Sequence, residues 1–177
     1  MIFTELKLPG AYLIEPERIE DERGFFARTW SGAEFERHGL NPKLVQCNIS
    51  FNRERGTLRG MHFQASPYEE CKLIRCTRGR IFDVIIDLRS DSQTFKQSFG
   101  VELNRELRNM LYVPEGFAHG FLTLEDETEI FYQMSQSFVS DAARGVRWND
   151  PAFGIEWPEE VRIIKDRDKN YTDFLTD

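Results

Sequence analysis

Short apolar segments that are typical of β-strands recur along most of the chain, and turn residues separate them at regular intervals. The predicted strands span residues 43–52, 57–64, 71–77, 80–88, 94–103, 110–113, 118–124 and 128–137. Many short strands with closely spaced turns favour an antiparallel sandwich or barrel. We therefore predict a mainly β fold in a single domain over residues 1–177, since no linker or internal repeat interrupts the pattern.

Only a few short helices are expected. Residues 31–39 favour a helix of about two turns, with Ser31 as the N-cap, Glu34 at the third helical position and Gly39 at the end. The polar tail after Arg162 is expected to hold a second short helix against the barrel.

Composition argues against several classes of function. The formal net charge of −7 disfavours a surface that binds nucleic acid or membranes non-specifically. The 23 lysines and arginines still allow a local site for a small anionic ligand. The N-terminus has no signal-peptide pattern and no apolar stretch is long enough to span a bilayer, so we expect a cytoplasmic protein.

The three cysteines, Cys47, Cys71 and Cys76, form neither a CxxC motif nor a zinc-binding spacing. All three lie in apolar strand-like segments, where a free cysteine behaves as a small buried hydrophobe. We predict three buried free thiols, in keeping with a reducing compartment.

Residues 56–64 (GTLRGMHFQ) combine a turn glycine, apolar residues typical of a strand, and two polar residues, Arg59 and His62. Arg59 and His62 are expensive to place in a mostly apolar strand unless they have a role. Strict alternation would put them on opposite faces of the sheet. A bulge at Gly60 would bring Arg59 round to the face of His62. The alternative is a surface arginine and a histidine with a purely structural hydrogen bond.

Two further strands carry isolated charges. Lys72 shares a face with Ile74 and Cys76, so its ammonium either reaches an edge or points into a cavity. Asp83 interrupts an apolar run that is typical of a central strand. A buried carboxylate needs a partner, and Lys72 or a histidine is the candidate. A purely structural acceptor is the alternative.

Residues 114–121 (PEGFAHGF) contain a Pro-x-Gly turn followed by His119, which resembles the second sequence motif of the cupins. The first cupin motif is half present, because Gly56 and His62 fit it whereas Gln64 stands where a second histidine is usual. An amide is a poor substitute for an imidazole ligand of a transition metal. The resemblance implies a cupin double-stranded β-helix, or jelly roll, and we expect it to work without a metal.

Tyr132 lies on the same predicted face as Ile130 and Met134, so its phenol can point into the barrel. A histidine, a lysine and a tyrosine suit the removal of a proton next to a carbonyl group. The three would serve as base, as stabiliser of the enolate oxygen and as acid. If base and acid lie on opposite faces of the substrate, the carbon inverts. The alternative is a tyrosine that is merely hydrogen-bonded in the core.

Several segments in the same order resemble the dTDP-4-dehydrorhamnose 3,5-epimerase family along nearly the whole chain. They are residues 21–26, 46–50, 56–64, 72–74, 83–84, 114–121, 147–151 (RWNDP) and 155–158 (IEWP). The resemblance implies a homodimeric jelly roll in which an N-terminal segment crosses to the partner. It also implies cofactor-free epimerisation at C3 and C5 of a nucleotide-linked 4-keto-6-deoxyhexose.

Transferred to the matching positions, the resemblance assigns roles to individual residues. His62 would be the base, Tyr132 the acid and Lys72 the group that stabilises the enolate oxygen. Asp168, with Asp166 as the alternative, would orient His62. The remaining predicted site residues would bind the substrate: Arg23, Phe26, Arg28, Gln46, Asn48, Arg59, Asp83, His119 and Phe138.

Three positions depart from the family pattern. Arg28 stands where a glutamate is usual, and an arginine suits an acceptor edge, as on cytosine or guanine, better than the N3–H of thymine. Phe138 replaces a tyrosine, which leaves both C3 inversion alone and inversion at both carbons open. The family's Ser-Glu-Lys-Asp tail motif reads KDRD at residues 165–168.

Alternatives remain beside the 3,5-epimerase. A 3-epimerase would stop after one inversion, and a CDP- or GDP-linked sugar would match Arg28. A metal-dependent cupin oxygenase or isomerase needs a third good ligand, which Gln64 is not. A non-catalytic sugar-binding cupin would use His62 and Tyr132 only to line a pocket.

Overall fold

The computed structural model describes residues 1–174. Its strands are β1 (Ile2–Glu5), β2 (Tyr12–Glu15), β3 (Arg18–Asp21), β4 (Gly24–Ala27), β5 (Gln46–Asn52), β6 (Thr57–Gln64), β7 (Lys72–Arg78), β8 (Arg80–Asp87), β9 (Ser98–Asn104), β10 (Met110–Val113), β11 (Phe117–Thr123), β12 (Thr128–Met134), β13 (Ala143–Gly145) and β14 (Ile163–Ile164). Its α-helices are α1 (Gly32–Arg37) and α2 (Asp166–Lys169), and a 3₁₀ helix spans Ser140–Ala142. The predicted mainly β class with a few short helices is confirmed.

Two sheets pack face to face and form the jelly roll. The first sheet has the strand order β1-β2-β10-β7-β12-β5, and the second has the order β13-β6-β11-β8-β9. Neighbouring strands along these two paths are antiparallel, while β14 pairs in parallel with the start of β6. Strands β3 and β4 form a separate two-stranded hairpin. The predicted double-stranded β-helix is confirmed.

The main core lies between the two sheets, because alternate residues of each strand point inward. Ile74 of β7, Ile85 of β8 and Phe121 of β11 are among the buried residues that meet there. A second apolar cluster covers the outer face of the first sheet, where Phe35 of α1 packs against Tyr112 of β10. The inward-facing polar residues lie beyond the main core and line the cavity described below.

Helix α1 follows the predicted boundaries closely. Ser31 is its N-cap residue, but the Ser31 side chain makes no capping hydrogen bond. Instead, the backbone carbonyl oxygen of Ser31 accepts a hydrogen bond from the N–H of Glu34. Gly39 has a φ of +71°, which suits the residue that ends a helix. Within residues 1–174, neither helix has the length and apolar content that a membrane span requires.

The structure corrects the sequence prediction for Cys47. Cys71 and Cys76 are buried free thiols, but Cys47 is exposed. Strand β5 is the edge strand of the first sheet, and Cys47 lies on its outer face, which no other element of residues 1–174 covers fully. An apolar run predicts a strand without showing that both of its faces are buried.

The strand predicted over residues 94–103 begins only at Ser98, because Asp87 organises the preceding residues into a loop. The carboxylate of Asp87 is fully buried and accepts hydrogen bonds from the Arg89 guanidinium and from the hydroxyls of Ser92 and Thr94. Burial alone would raise the pKa of Asp87, but these hydrogen bonds lower it to about 2.

Replacement of Asp87 by asparagine is expected to destabilise the fold at neutral pH. A pKa lowered from 3.8 to about 2 corresponds to about 2 kcal/mol of stability at pH 7. This contribution is present above the unfolded pKa and is lost as the pH falls through the folded pKa. Urea unfolding at pH 7 and at pH values below about 4 measures it. A wild-type advantage over Asp87→Asn that is equal at all these pH values would contradict the account.

Candidate active site

A cavity of about 440 Å³ lies between the two sheets. Strands β5, β6, β7, β11 and β12 supply most of its lining. Many of the predicted site residues meet there: Gln46, Asn48, Arg59, His62, Lys72, His119, Tyr132 and Phe138. These residues are far apart in the sequence, and the jelly roll brings their inward-facing side chains to one space.

His62 is hydrogen-bonded to a buried carboxylate. Its Nε2 lies 2.8 Å from Oδ1 of Asp168, which is 3% exposed and lies on α2. The backbone N–H of Gly60 donates to Oδ2 of the same carboxylate at 3.5 Å. Because Asp168 engages Nε2, Nδ1 of His62 is the nitrogen left to accept a proton. The structure thus places Asp168, rather than Asp166, against His62.

The charge on Asp168 suits this pairing. Burial by itself would raise the pKa of Asp168, but hydrogen bonds and positive charge from His62 and Arg167 bring it below its ordinary value. Nε of Arg167 donates to Oδ1 of Asp168 at 3.1 Å, and Nη2 of Arg167 lies 3.2 Å from Nε2 of His62. The carboxylate is therefore ionised at neutral pH and can balance an imidazolium as it forms.

Strand β6 has the predicted irregularity at Gly60. Gly60 has a φ of +146°, and the register between β6 and β11 shifts near this point. A Cβ atom at Gly60 would lie 2.5 Å from the Cα atom of Gly120, so only glycine fits between these strands. Both Arg59 and His62 line the cavity as a result. The predicted bulge is confirmed.

Lys72 points into the cavity from β7 and is 8% exposed. Its Nζ lies 2.8 Å from Oε1 of Glu70 and donates to the carbonyl oxygen of His62 at 3.3 Å. Glu70 is buried and lines the same cavity, although it was not among the predicted site residues. These contacts fix the ammonium beside the backbone of His62, where it can meet an oxygen atom of a ligand.

His119 has its own buried carboxylate partner, Asp83. Nε2 of His119 lies 2.6 Å from Oδ1 of Asp83, so a histidine, not Lys72, is the partner that Asp83 required. Asp83, predicted as a substrate-binding residue, is fully buried and is not among the residues that line the cavity. Burial raises the pKa of Asp83, and the charges of His119 and Lys72 oppose that rise. Asp83 therefore acts on a ligand only through His119.

Tyr132 projects from β12 into the cavity, as the strand alternation predicted. Burial raises the pKa of its phenol, and the positive charge of Arg59 opposes the rise. The phenol is therefore protonated at neutral pH and can give a proton to a ligand.

The side-chain amide of Gln64 is hydrogen-bonded to backbone groups. Its amide nitrogen donates to the carbonyl oxygens of Tyr68 and Ser137 at 2.8 and 3.3 Å, and its amide oxygen accepts from the N–H of Val139 at 2.6 Å. Through these bonds the side chain holds two loops beside the cavity. In residues 1–174, His, Cys, Asp and Glu side chains form no group of three or more that could hold a metal ion.

The family model for dTDP-4-dehydrorhamnose 3,5-epimerase matches residues 5–175. The chain belongs to this family. The dTDP-4-dehydrorhamnose 3,5-epimerase of Methanothermobacter thermautotrophicus is 44% identical over 172 residues, which cover 96% of this chain and 92% of the relative.

Solved structures of the epimerase family superpose closely on the chain. The dTDP-4-dehydrorhamnose 3,5-epimerase of Elizabethkingia anophelis has a TM-score of 0.96 and 37% identity, with 98% of this chain and 96% of that one covered. The enzyme of Bacillus anthracis, solved with TDP and PPi bound, has a TM-score of 0.93 and 40% identity, with coverage of 98% and 99%.

Three residues that the epimerase resemblance assigned to the nucleotide lie outside the cavity of their own chain. Phe26 of β4 is 69% exposed. The guanidinium of Arg23 pairs with Asp21 at 2.5 Å, and that of Arg28 pairs with Glu34 at 2.8 Å. Within one chain the structure does not bring these residues to the site, because Arg23 and Phe26 belong to the separate β3–β4 hairpin and Arg28 directly follows it.

Several cavity residues escaped the sequence analysis: Ser50, Phe63, Glu70, Phe121, Met134, Ala143, Arg144 and Arg167. Strand alternation gave no signal for Glu70, because β7 begins only at Lys72. The position of Arg167 next to Asp168 in the epimerase tail motif was a signal. Nothing in the sequence separates Arg144 from other surface arginines, since its placement depends on the pairing of β13 with β6.

Proposed function

We propose that the chain is a cofactor-independent dTDP-4-dehydrorhamnose 3,5-epimerase. It inverts C3 and C5 of dTDP-4-dehydro-6-deoxyglucose and yields dTDP-4-dehydrorhamnose. The observation that carries the proposal is the hydrogen-bonded pair of His62 and Asp168 on the same cavity as Lys72 and Tyr132. Membership of the epimerase family supports the same substrate class.

The proposed chemistry uses the ketone at C4, which acidifies the C–H bonds of both neighbouring carbons. Nδ1 of His62 removes the proton, the C–H electron pair moves into an enolate, and the charge develops on the C4 oxygen. The Lys72 ammonium stabilises that oxygen, while Asp168 balances the imidazolium. Tyr132 then protonates the carbon from the other face, which inverts it. Proton exchange with solvent then returns His62 to its neutral form and Tyr132 to the phenol. The same steps at the second of the two carbons, C3 and C5, give the product.

The diphosphate and the base are expected towards the rim of the cavity. Phe138 is 57% exposed there and offers an aromatic face on which a base can stack. Its backbone N–H donates to Oε1 of Gln46 at 3.0 Å, and Nε2 of Gln46 donates to Oδ1 of Asn48 at 3.1 Å. Arginines, which bind phosphate oxygens well, line the cavity at three positions: Arg59, Arg144 and Arg167.

Turnover tests the proposal. The chain is incubated with dTDP-4-dehydro-6-deoxyglucose, and in parallel with its CDP- and GDP-linked analogues, and NMR follows the sugar protons. We expect conversion of the dTDP-sugar to the doubly inverted product. Arg28 forms an ion pair with Glu34 in this structure, and this pair occupies the guanidinium that a cytosine or guanine base would otherwise engage. Preferential turnover of a CDP- or GDP-sugar would replace the dTDP assignment.

The complete site is proposed to need a second copy of the chain. The β3–β4 hairpin exposes Ile19, Phe25 and Phe26, and Arg23 at its turn faces away from the cavity of its own chain. Strand β5, whose inner face lines the cavity, is an edge strand. A homodimer in which each hairpin crosses to the partner would cover these apolar side chains and bring Arg23 to the partner's nucleotide.

Hybrid dimers test the crossing directly. The inactive variants His62→Asn and Arg23→Ala/Phe26→Ala are co-expressed with different tags, and the doubly tagged species is purified. Each hybrid has one site with an intact His62 and an intact partner hairpin, so we expect about half of the wild-type activity per dimer. Each parent variant alone should be nearly inactive. A hybrid no more active than the average of the two parents would contradict the crossing.

The proposed compartment is the cytoplasm. Cys47, Cys71 and Cys76 are all free thiols, and they persist best where the environment is reducing. Neither nucleic acid nor a membrane is proposed as a partner, in keeping with the net charge of −7.

A further inference from the structure

Two family motifs, at residues 147–151 and 155–158, contribute no residue to the cavity. The structure places them beneath the C-terminal segment that carries Asp168. Helix α2, on which Asp168 lies, has only four residues and gains little stability by itself. The position of the carboxylate must therefore depend on contacts that flank the helix.

On its N-terminal side, α2 is fixed to the strand that carries His62. Strand β14 pairs in parallel with the start of β6, at Thr57 and Leu58. The backbone N–H groups of Arg162 and Ile163 both donate to the carbonyl oxygen of Gly56, at 2.8 and 3.1 Å. These bonds set where the segment begins, but they leave its other end free.

On its C-terminal side, the segment is held by residues 147–153. The backbone N–H of Phe174 donates to Oδ2 of Asp150 at 2.6 Å, and Nη2 of Arg147 lies 2.5 Å from Oδ1 of Asp173. The ring of Phe174 packs 5.3 Å, centroid to centroid, from that of Phe153. We call these contacts between residues 173–174 and residues 147–153 the tail anchor.

The residues beneath the tail anchor are hydrogen-bonded to one another. Asp150 is 3% exposed, and its other oxygen accepts the backbone N–H of Ala152 at 2.9 Å. The indole N–H of Trp157 donates to the carbonyl oxygen of Trp148 at 3.0 Å, which joins the two motifs. The ring of Trp157 also packs edge-on against Phe82 of β8. The motifs thus connect the barrel to the tail.

Between the tail anchor and α2, the ring of Tyr171 occupies the space over Gly145. A Cβ atom at Gly145 would lie 2.3 Å from carbons of that ring, so a side chain there would displace the segment. Gly145 is the register partner of His62 in the β13–β6 pairing. The C-terminal segment therefore contacts the β6–β13 pair, which carries His62, on both sides of α2. Before the helix the contact is β14 with β6, and after it the contact is Tyr171 with Gly145.

We propose that Asp150, Phe174 and the Arg147–Asp173 pair are positioning residues that hold Asp168 against His62. None of them lines the cavity, so they act only through the geometry of the His62–Asp168 pair. This inference rests on the proposed function, because it assigns His62 the role of base. It also explains what residues 147–151 do, since none of them lines the cavity.

The variant Phe174→Ala removes the aromatic contact and leaves the cavity lining intact. We expect kcat to fall on the order of 10-fold with KM within about two-fold, because a shift of roughly 1 Å at a catalytic group is costly. Phe174→Leu retains an apolar side chain and is the matched control, with kcat close to wild type. Asp173→Asn breaks only the ion pair with Arg147 and should cause a smaller loss in the same direction.

A double-mutant cycle separates positioning from general loss of structure. If Phe174 acts through Asp168, then Phe174→Ala should lower kcat in the wild-type chain but not further in Asp168→Asn. An equal loss of kcat in both backgrounds would overturn the proposal, and so would a wild-type kcat in both Phe174→Ala and Asp173→Asn.

Amide hydrogen exchange tests the tail anchor without using catalysis. The amides of residues 163–170 should exchange on the order of 10-fold faster in Phe174→Ala than in the wild type, while exchange in β8 should stay unchanged. Unchanged exchange in residues 163–170 would overturn the inference. A wild-type chain that fails to turn over the substrate would refute the proposed function, and exchange would still decide whether the anchor holds α2.

Discussion

Replacement of His62 by asparagine is expected to lower kcat by on the order of 10³- to 10⁴-fold. Asparagine keeps a polar side chain that Asp168 can hold, but it has no nitrogen that accepts a proton near neutral pH. Without the base, neither C3 nor C5 can lose its proton, so deuterium uptake from D2O should stop at both carbons together. Substrate binding should change little, because the arginines and Lys72 remain in the cavity.

The matched control is His38→Asn. His38 follows α1, is exposed and stacks on Phe3 with ring centroids 4.0 Å apart, outside the cavity. Its replacement should leave kcat unchanged. Steady-state turnover and NMR in D2O measure both variants. A His62→Asn variant that keeps a kcat within about 10-fold of wild type would remove His62 as the base.

Replacement of Tyr132 by phenylalanine is expected to separate proton exchange from inversion. His62 can still remove the proton and form the enolate, so deuterium should enter from D2O. With no phenol on the other face, only the histidine can return a proton, and it does so on the side from which it took it. We expect kcat for epimerisation to fall on the order of 10²- to 10³-fold, with much less loss of exchange.

The Tyr132 prediction is measured by comparing deuterium uptake in residual substrate with the amount of inverted product. Tyr12→Phe is the control, since Tyr12 lies on β2 away from the cavity and its loss of a hydroxyl should affect neither quantity. Equal losses of exchange and inversion in Tyr132→Phe would contradict the role of Tyr132 as the acid. They would show that the phenol is needed before the enolate forms.

The strands and much of the cavity could be predicted from the sequence because both follow from local patterns. Strand β6 has the predicted limits, and Gly60 bends it as a glycine between two polar residues suggested. Alternation placed Lys72 and Tyr132 on inward faces. In each case the period of two along a strand decides which side chains can meet.

What the sequence could not supply depends on contacts between distant segments. Lys72 pairs with Glu70, whereas Asp83 pairs with His119, and the charges alone allowed other combinations. The exposed position of Cys47 follows from β5 being an edge strand, which strand propensity does not reveal. The location of Arg23 outside the cavity follows from the independent pairing of β3 with β4.

In the proposed mechanism, one base and one acid act at both carbons beside the C4 ketone. The most direct measurement incubates the full chain in D2O with dTDP-4-dehydro-6-deoxyglucose and follows C3 and C5 by NMR. We expect deuterium at both carbons and a product inverted at both. Exchange confined to C3 would contradict it and indicate a 3-epimerase, and no exchange with the dTDP-, CDP- or GDP-sugar would indicate a sugar-binding cupin without catalysis.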